Sequence, residues 1–379
     1  MQFLTQTLFH IYYIVSTSLA SILVSFLPFL SYIYSHLMRR RKMPSITVDP
    51  SLGLQISKQH RIEEEIPGLI KVYRDGHVER PQIVPNVSCS LPPEFGVTCT
   101  DVKIDKSTNI WARCYVPRCD YNKVPLLVYF HGGGFCVGSA SWSCYHEFLA
   151  KLSRKANCVV FSVNYRLAPE NPLPAAYDDG VKAVMWLRQH AAAAAKEYNY
   201  CWSNKCDFSS VFLGGDSAGA NIAHNVAIRL CQEFKPLNPL VIKGTILIQP
   251  FVGGESRTYS EIYTAQPSHS ALTLAASDTY WRLALPVGAN RDHPWCNPII
   301  TTNMKEVMRV PPSLVVISEL DILKDRSLEL CGALSRAGKK VELFMCKGVG
   351  HAFHILSKSQ LAQTRTDELI AQIKTFTAT

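Results

Sequence analysis

Runs of consecutive apolar residues, rich in branched side chains, punctuate the chain at Val124–Phe130, Cys158–Val163, Ile242–Ile248, Ser313–Ile317 and Val341–Phe344. Strands buried on both faces read this way, because neither face needs polar residues, and they belong to parallel sheets covered by helices. Helix-like stretches lie between and after them, at Ala175–Tyr198, Ala220–Phe234, Lys324–Ala337 and Gln360–Phe376. This alternation predicts a doubly wound, mostly parallel α/β sheet. The pattern starts near Gly96, so residues 96–379 are expected to form the main domain. Residues 43–95 are proline-rich and mixed, with Arg61–Ile66 as one charged, helical-looking piece, and are expected to pack over it as a lead-in.

The first 42 residues follow a different pattern. Residues 1–38 contain no Lys, Arg, Asp or Glu, and Leu8–Leu37 is strongly apolar. That run exceeds the roughly 20 residues a membrane-spanning helix needs, and Tyr12, Tyr13, Tyr32 and Tyr34 lie towards its ends as interfacial aromatics do. The basic cluster Arg39–Lys42 follows directly, which predicts a single-pass anchor with the remainder of the chain in the cytosol, at the endoplasmic reticulum. The alternative is a soluble cytosolic protein translated from Met43.

Composition narrows the function classes. Apolar residues make up 47% of the 379 and charged ones 18%, ample for a large core. Net charge is +9, and the Arg39–Lys42 cluster accounts for four of those positives. The rest is thinly spread, which argues against nucleic-acid binding. The 13 cysteines fall at irregular spacings without a C-x-x-C pair, so neither a zinc site nor a dithiol motif is expected. Several, such as Cys158, sit among apolar residues and read as small buried hydrophobes.

The candidate chemistry begins at Gly215-Asp216-Ser217-Ala218-Gly219, between the apolar run Ser210–Leu213 and a helix-like stretch. A G-x-S-x-G there predicts a sharp turn that lifts a serine hydroxyl above the sheet edge. Glycines flank such a turn where strand and helix backbones come too close for a Cβ. Upstream, His131-Gly132-Gly133-Gly134-Phe135 follows the strand ending at Phe130, and its backbone N–H groups are candidates to hold a developing oxyanion, with Ala218 as a further donor. Asp321 lies in the loop after Ser313–Ile317, where open sheets place ligands. Glu319 and Asp325 are its rivals. Asp325 reads better as a helix-start charge. His351 leaves the strand Val341–Phe344 through Gly348 and Gly350, with His354 as competitor. Ser217, Asp321 and His351 thus occur in the order Ser…Asp…His, which differs from the orders of the chymotrypsin and subtilisin types.

These motifs resemble the hormone-sensitive-lipase-like branch of the α/β-hydrolases, and within it the plant carboxylesterases. Tyr165-Arg166-Leu167-Ala168-Pro169-Glu170, the elbow extended to Asn221, and the run from Tyr280-Trp281 to Asn297-Pro298 carry the likeness, which spans Val97 to the carboxyl terminus. The resemblance implies an α/β-hydrolase fold with a helical cap, hydrolysing small-to-medium carboxylic esters without metal or organic cofactor. It places Phe135, Phe251, His269, Tyr280 and Trp281 near the substrate pocket, and Glu170 and Asp216 in the framework. Related proteins serve as gibberellin receptors, which lack the histidine, or as dehydratases, which carry threonine at the elbow. Some relatives cyclise alkaloids. A ligand receptor and a lyase or cyclase are therefore the alternatives.

Overall fold

The structure, a computed structural model, describes residues 61–119, 123–193, 202–233, 237–266, 270–300 and 310–378. The candidate anchor, the basic cluster and Met43 lie outside these residues, as does His269. Among the described residues no helix is long and apolar enough to cross a membrane.

The chain enters through a small antiparallel sheet of β1 (Ile62–Ile66), β2 (Ile70–Tyr73) and β3 (Val78–Glu79). The helical expectation for residues 61–66 is therefore corrected to a strand. Pro67-Gly68 turns the chain back, with Gly68 at φ +74°, and pairing β1 with β2 buries Ile66 opposite Ile70. The glutamates remain at the surface, where a strand edge tolerates charge.

The main sheet contains eight strands among the described residues: β4 (Val97–Asp105), β5 (Ile110–Pro117), β6 (Val124–Phe130), β7 (Val159–Asn164), β8 (Cys206–Asp216), β9 (Ile242–Ile248), β10 (Ser313–Ser318) and β11 (Val341–Cys346). Their order is β11-β10-β9-β8-β6-β7-β5-β4. Strand β5 runs antiparallel to both neighbours, and the other pairs are parallel. The described helices are α1 (Ser143–Ala156), α2 (Ala175–Ala193), α3 (Ala218–Glu233), α4 (Tyr259–Tyr263), α5 (Leu274–Ala284), α6 (Lys324–Arg336), α7 (Phe353–Leu356) and α8 (Gln360–Thr377).

Two apolar layers enclose the sheet. Leu126, Val128 and Phe130 of β6 join Val184 of α2 and Ile222 and Val226 of α3 in one core. The alternate residues Leu127 and Tyr129 join Phe148, Leu149 and Leu152 of α1 and Leu369 and Ile373 of α8 in the other. Successive side chains of a strand point to opposite faces, so one uninterrupted apolar run supplies both cores. The segment after β9 carries α4 and α5. Helix α5 meets the lead-in through Arg282, which donates to Glu64 at 2.7 and 2.9 Å. The lead-in and the segment after β9 are thus tied to each other.

Candidate active site

The serine sits at a tight turn between strand and helix. Strand β8 ends at Asp216 and α3 begins at Ala218, leaving Ser217 alone to make the turn at φ +52°. A non-glycine residue in this region is strained by about 1–2 kcal/mol, and such strain persists only where the surroundings enforce it. Here Ser217 N–H donates to Ile248 O at 2.8 Å and Phe251 N–H donates to Ser217 O at 3.0 Å. Both flanking glycines are required sterically. A Cβ on Gly215 or Gly219 would overlap the carbonyl oxygen of Phe130.

Two loops deliver the other side chains. After β10, Asp321 turns inward at 2% exposure, and its Oδ1 accepts from Leu323 N–H at 3.0 Å. After β11, Gly348 at φ +73° reverses the chain into His351. Its imidazole bridges the other two groups: Nδ1 lies 2.7 Å from Asp321 Oδ2 and Nε2 lies 2.9 Å from Ser217 Oγ. A proton on Nδ1 satisfies both contacts, with Nε2 accepting from the serine hydroxyl. Burial disfavours the imidazolium. The charge and hydrogen bond of Asp321, with help from Asp216, outweigh that and hold His351 above its ordinary value of 6.5.

The rivals are engaged elsewhere. Glu319 Oε2 accepts from Gly348 N–H at 2.8 Å, and Asp325 Oδ2 accepts from Ser260 N–H at 2.6 Å, tying α6 to α4. His354 is buried edge-on to Phe148 with ring centroids 4.8 Å apart, and burial, then the charge of His351, push it down to about 3. His131 is stacked on Tyr165 at 4.3 Å, and burial pushes it down to about 4.

The glycine loop borders the serine. Gly133 and Gly134 adopt φ +110° and +58°, and both line a cavity of about 90 Å³ that also contains Ser217 and His351. Ala218 opens α3, where the first amides have no partner within the helix. Among the described residues none accepts from the N–H of Gly133, Gly134 or Ala218. The preceding glycine is held firmly: Gly132 N–H donates to Tyr145 Oη at 2.8 Å and to Asp216 Oδ1 at 3.1 Å. Tyr129 and Tyr145 donate to the same carboxylate at 2.7 and 2.9 Å. Asp216 is thereby a framework group, as is Glu170, which receives Arg80 at 2.7 and 2.5 Å.

Of the expected pocket aromatics, Phe251 and Tyr280 line the cavity. Phe135 and Trp281 lie behind Phe251 rather than in the wall itself. Phe135, at φ +65°, turns its ring into the core, 5.4 Å from Trp281 and 6.0 Å from Phe251. Trp281 stacks on the far side of Phe251 at 4.6 Å and 7°. They form an aromatic backing one layer removed from the cavity. Sequence reasoning missed the wall residues Leu69, Ile83, Trp142, Leu272 and Leu356. It also missed Gln249, fully buried at the end of β9, whose only signal was its position directly after an apolar strand.

A family described as having the alpha/beta hydrolase fold matches residues 127–355, and the chain belongs to it. The chain is 54% identical, over 83% of its length and 91% of the other, to a protein named probable carboxylesterase from Arabidopsis thaliana. It is 34% identical to a gibberellin receptor of the same plant, over 75% of this chain and 83% of that one. Among solved structures, a hyperthermophilic esterase from the archaeon Pyrobaculum calidifontis superposes with a TM-score of 0.61 at 28% identity, covering 73% of this chain and 83% of that one.

Proposed function

We propose that the protein is a serine carboxylesterase acting on small-to-medium carboxylic esters, with Ser217 as nucleophile, His351 as base and Asp321 as its orienting partner. The observation that carries this is the continuous hydrogen-bonded line Asp321–His351–Ser217, with separations of 2.7 and 2.9 Å, beside the amides of Gly133, Gly134 and Ala218, which have no acceptor among the described residues. A serine hydroxyl is a poor nucleophile until an adjacent base takes its proton. In this reading Ser217 Oγ attacks the ester carbon as its proton passes to His351 Nε2. The amides of Gly133, Gly134 and Ala218 receive the charge that develops on the carbonyl oxygen. His351 then returns the proton to the departing alcohol, leaving an acyl group on Ser217 that a water molecule removes in the same manner. Asp321 keeps the imidazole in the required tautomer and stabilises its charged form.

Receptor-like binding without turnover, and elimination or cyclisation, are the competing uses of the scaffold. Hydrolysis of p-nitrophenyl acetate and butyrate by purified protein separates them. Serine-dependent release of nitrophenol, lost in Ser217→Ala, is the expected result. Absence of such release from well-folded protein would remove the esterase reading.

A further inference from the structure

Two spaces meet at His351. One is the cavity of about 90 Å³ that holds Ser217. The other is an open groove of about 520 Å³, lined by Leu320, Leu356 and Leu361 along one stretch and by Ser357, Lys358 and Ser359 along another. His351, Ala271 and Leu356 line both, so the two spaces adjoin at the histidine loop. Leu320, Leu356 and Leu361 are 50%, 51% and 44% exposed. A single exposed leucine needs no explanation, but three around one groove beside reacting atoms mark a surface meant to be covered.

The chemistry indicates what covers it. In acyl transfer the histidine hands its proton to the leaving oxygen, so the alcohol part of an ester lies on the imidazole side of the tetrahedral centre. The groove shares His351 with the serine cavity. The serine cavity is far smaller than the roughly 300–1,000 Å³ of sites that enclose a drug-sized ligand, whereas the groove falls within that range. We infer that the alcohol portion of the substrate lies along Leu320, Leu356 and Leu361, and that the preferred esters join a short acyl group to a large, mostly apolar alcohol. This rests on the esterase reading and adds the size asymmetry of the substrate. The balance is that of ester hydrolysis: the acyl–oxygen bond breaks, Ser217 takes the acyl group, and the alcohol leaves with the proton from His351. Water then releases the acid.

The test uses the full chain with phenyl acetate, 4-biphenylyl acetate and phenyl octanoate. The two acetates differ in alcohol size with leaving groups of similar acidity, and the octanoate enlarges only the acyl side. The expected kcat/KM is highest for biphenylyl acetate and lowest for phenyl octanoate, with steps of about tenfold, the scale on which pocket size discriminates. Leu361→Trp, which fills the groove, is expected to lower the biphenylyl-to-phenyl acetate ratio about tenfold. Leu361→Lys, which adds charge in place of bulk, moves it the same way if the tryptophan variant fails to fold. Leu343→Trp, at an equally exposed leucine off the groove wall, leaves the ratio as in the parent. Turnover of all three esters with the ratio unmoved by either Leu361 variant, or with the octanoate preferred, overturns the groove assignment alone. No turnover of any ester overturns it together with the esterase reading.

Discussion

Gln249 brackets the loop that carries His351. Its Nε2 donates to Gly350 O at 2.9 Å and its Oε1 accepts from Ala352 N–H at 2.8 Å, gripping the backbone on either side of the imidazole. The same amide nitrogen reaches Ser318 Oγ at 2.5 Å, so the grip is anchored to the end of β10. A flat amide offering one donor and one acceptor to successive peptide groups fixes both position and orientation.

Gln249→Ala is therefore expected to loosen His351 without touching substrate. The predicted result is a fall in kcat of about 10²-fold, the cost of a small misplacement of catalytic groups, with KM little changed. Steady-state kinetics on a p-nitrophenyl ester check this. A change confined to KM would contradict a positioning role.

The pH profile of kcat/KM follows from His351. Hydrolysis needs the neutral imidazole, and Asp321 holds the group above 6.5 against burial. Activity is predicted to rise with pH through an apparent value above 6.5. The stability contribution has the opposite course, because the charged His351–Asp321 pair is favoured by folding. It is fully present below pH 6.5 and lost as pH rises through the folded value. In Asp321→Asn burial is opposed by Asp216 alone, so the residual activity should titrate at lower pH.

Asp216 is buried beside the serine, and burial pushes it up to about 6, partly offset by Tyr129, Tyr145, His351 and Gly132. Its protonated form is thus favoured in the folded protein. The contribution is complete below the ordinary value of 3.8 and disappears as pH rises through about 6. Asp216→Asn carries no such dependence. Thermal melts of parent and variant across this window are expected to converge or cross as pH rises, and a constant difference in Tm would contradict the prediction.

Tyr280 lies where a side chain on Gly134 would have to go, since a Cβ there overlaps its ring. Gly134→Ala is predicted to lower kcat/KM about 10²-fold or more by displacing an oxyanion donor. Adding Tyr280→Ala removes the collision but not the left-handed strain at φ +58°, worth about 1–2 kcal/mol. Partial recovery in the double variant is the expected reading, and full recovery would show that the strain is immaterial.

How much of this was legible in the sequence depended on whether the determinant was local. Val124–Phe130 announced a strand because both its faces are buried, and Gly215 and Gly219 announced the elbow because one carbonyl, Phe130 O, excludes a Cβ from each. Helix α1 was not anticipated, although Tyr145, Phe148, Leu149 and Leu152 recur at helical spacing. Its N-cap is Trp142, which offers no capping oxygen, so the usual start signal is missing. Arg61–Ile66 misled because a glutamate run has helical propensity, while the pairing that makes it a strand comes from Ile70 across a Pro-Gly turn. The cavity wall was least legible. Leu69 and Leu356 meet there from opposite ends of the chain, and Phe135 stands next to Gly134 yet turns away from the cavity.

The central claim is that Ser217 becomes covalently acylated under the action of His351. Rapid mixing with p-nitrophenyl butyrate, acid quench and mass analysis of the peptides tests it directly. A butyryl group is expected on the Ser217 peptide of the parent and none in Ser217→Ala, with His351→Ala slowing its formation by several orders of magnitude. Undiminished ester turnover in Ser217→Ala, or a butyryl group borne by some other residue during turnover, would contradict it.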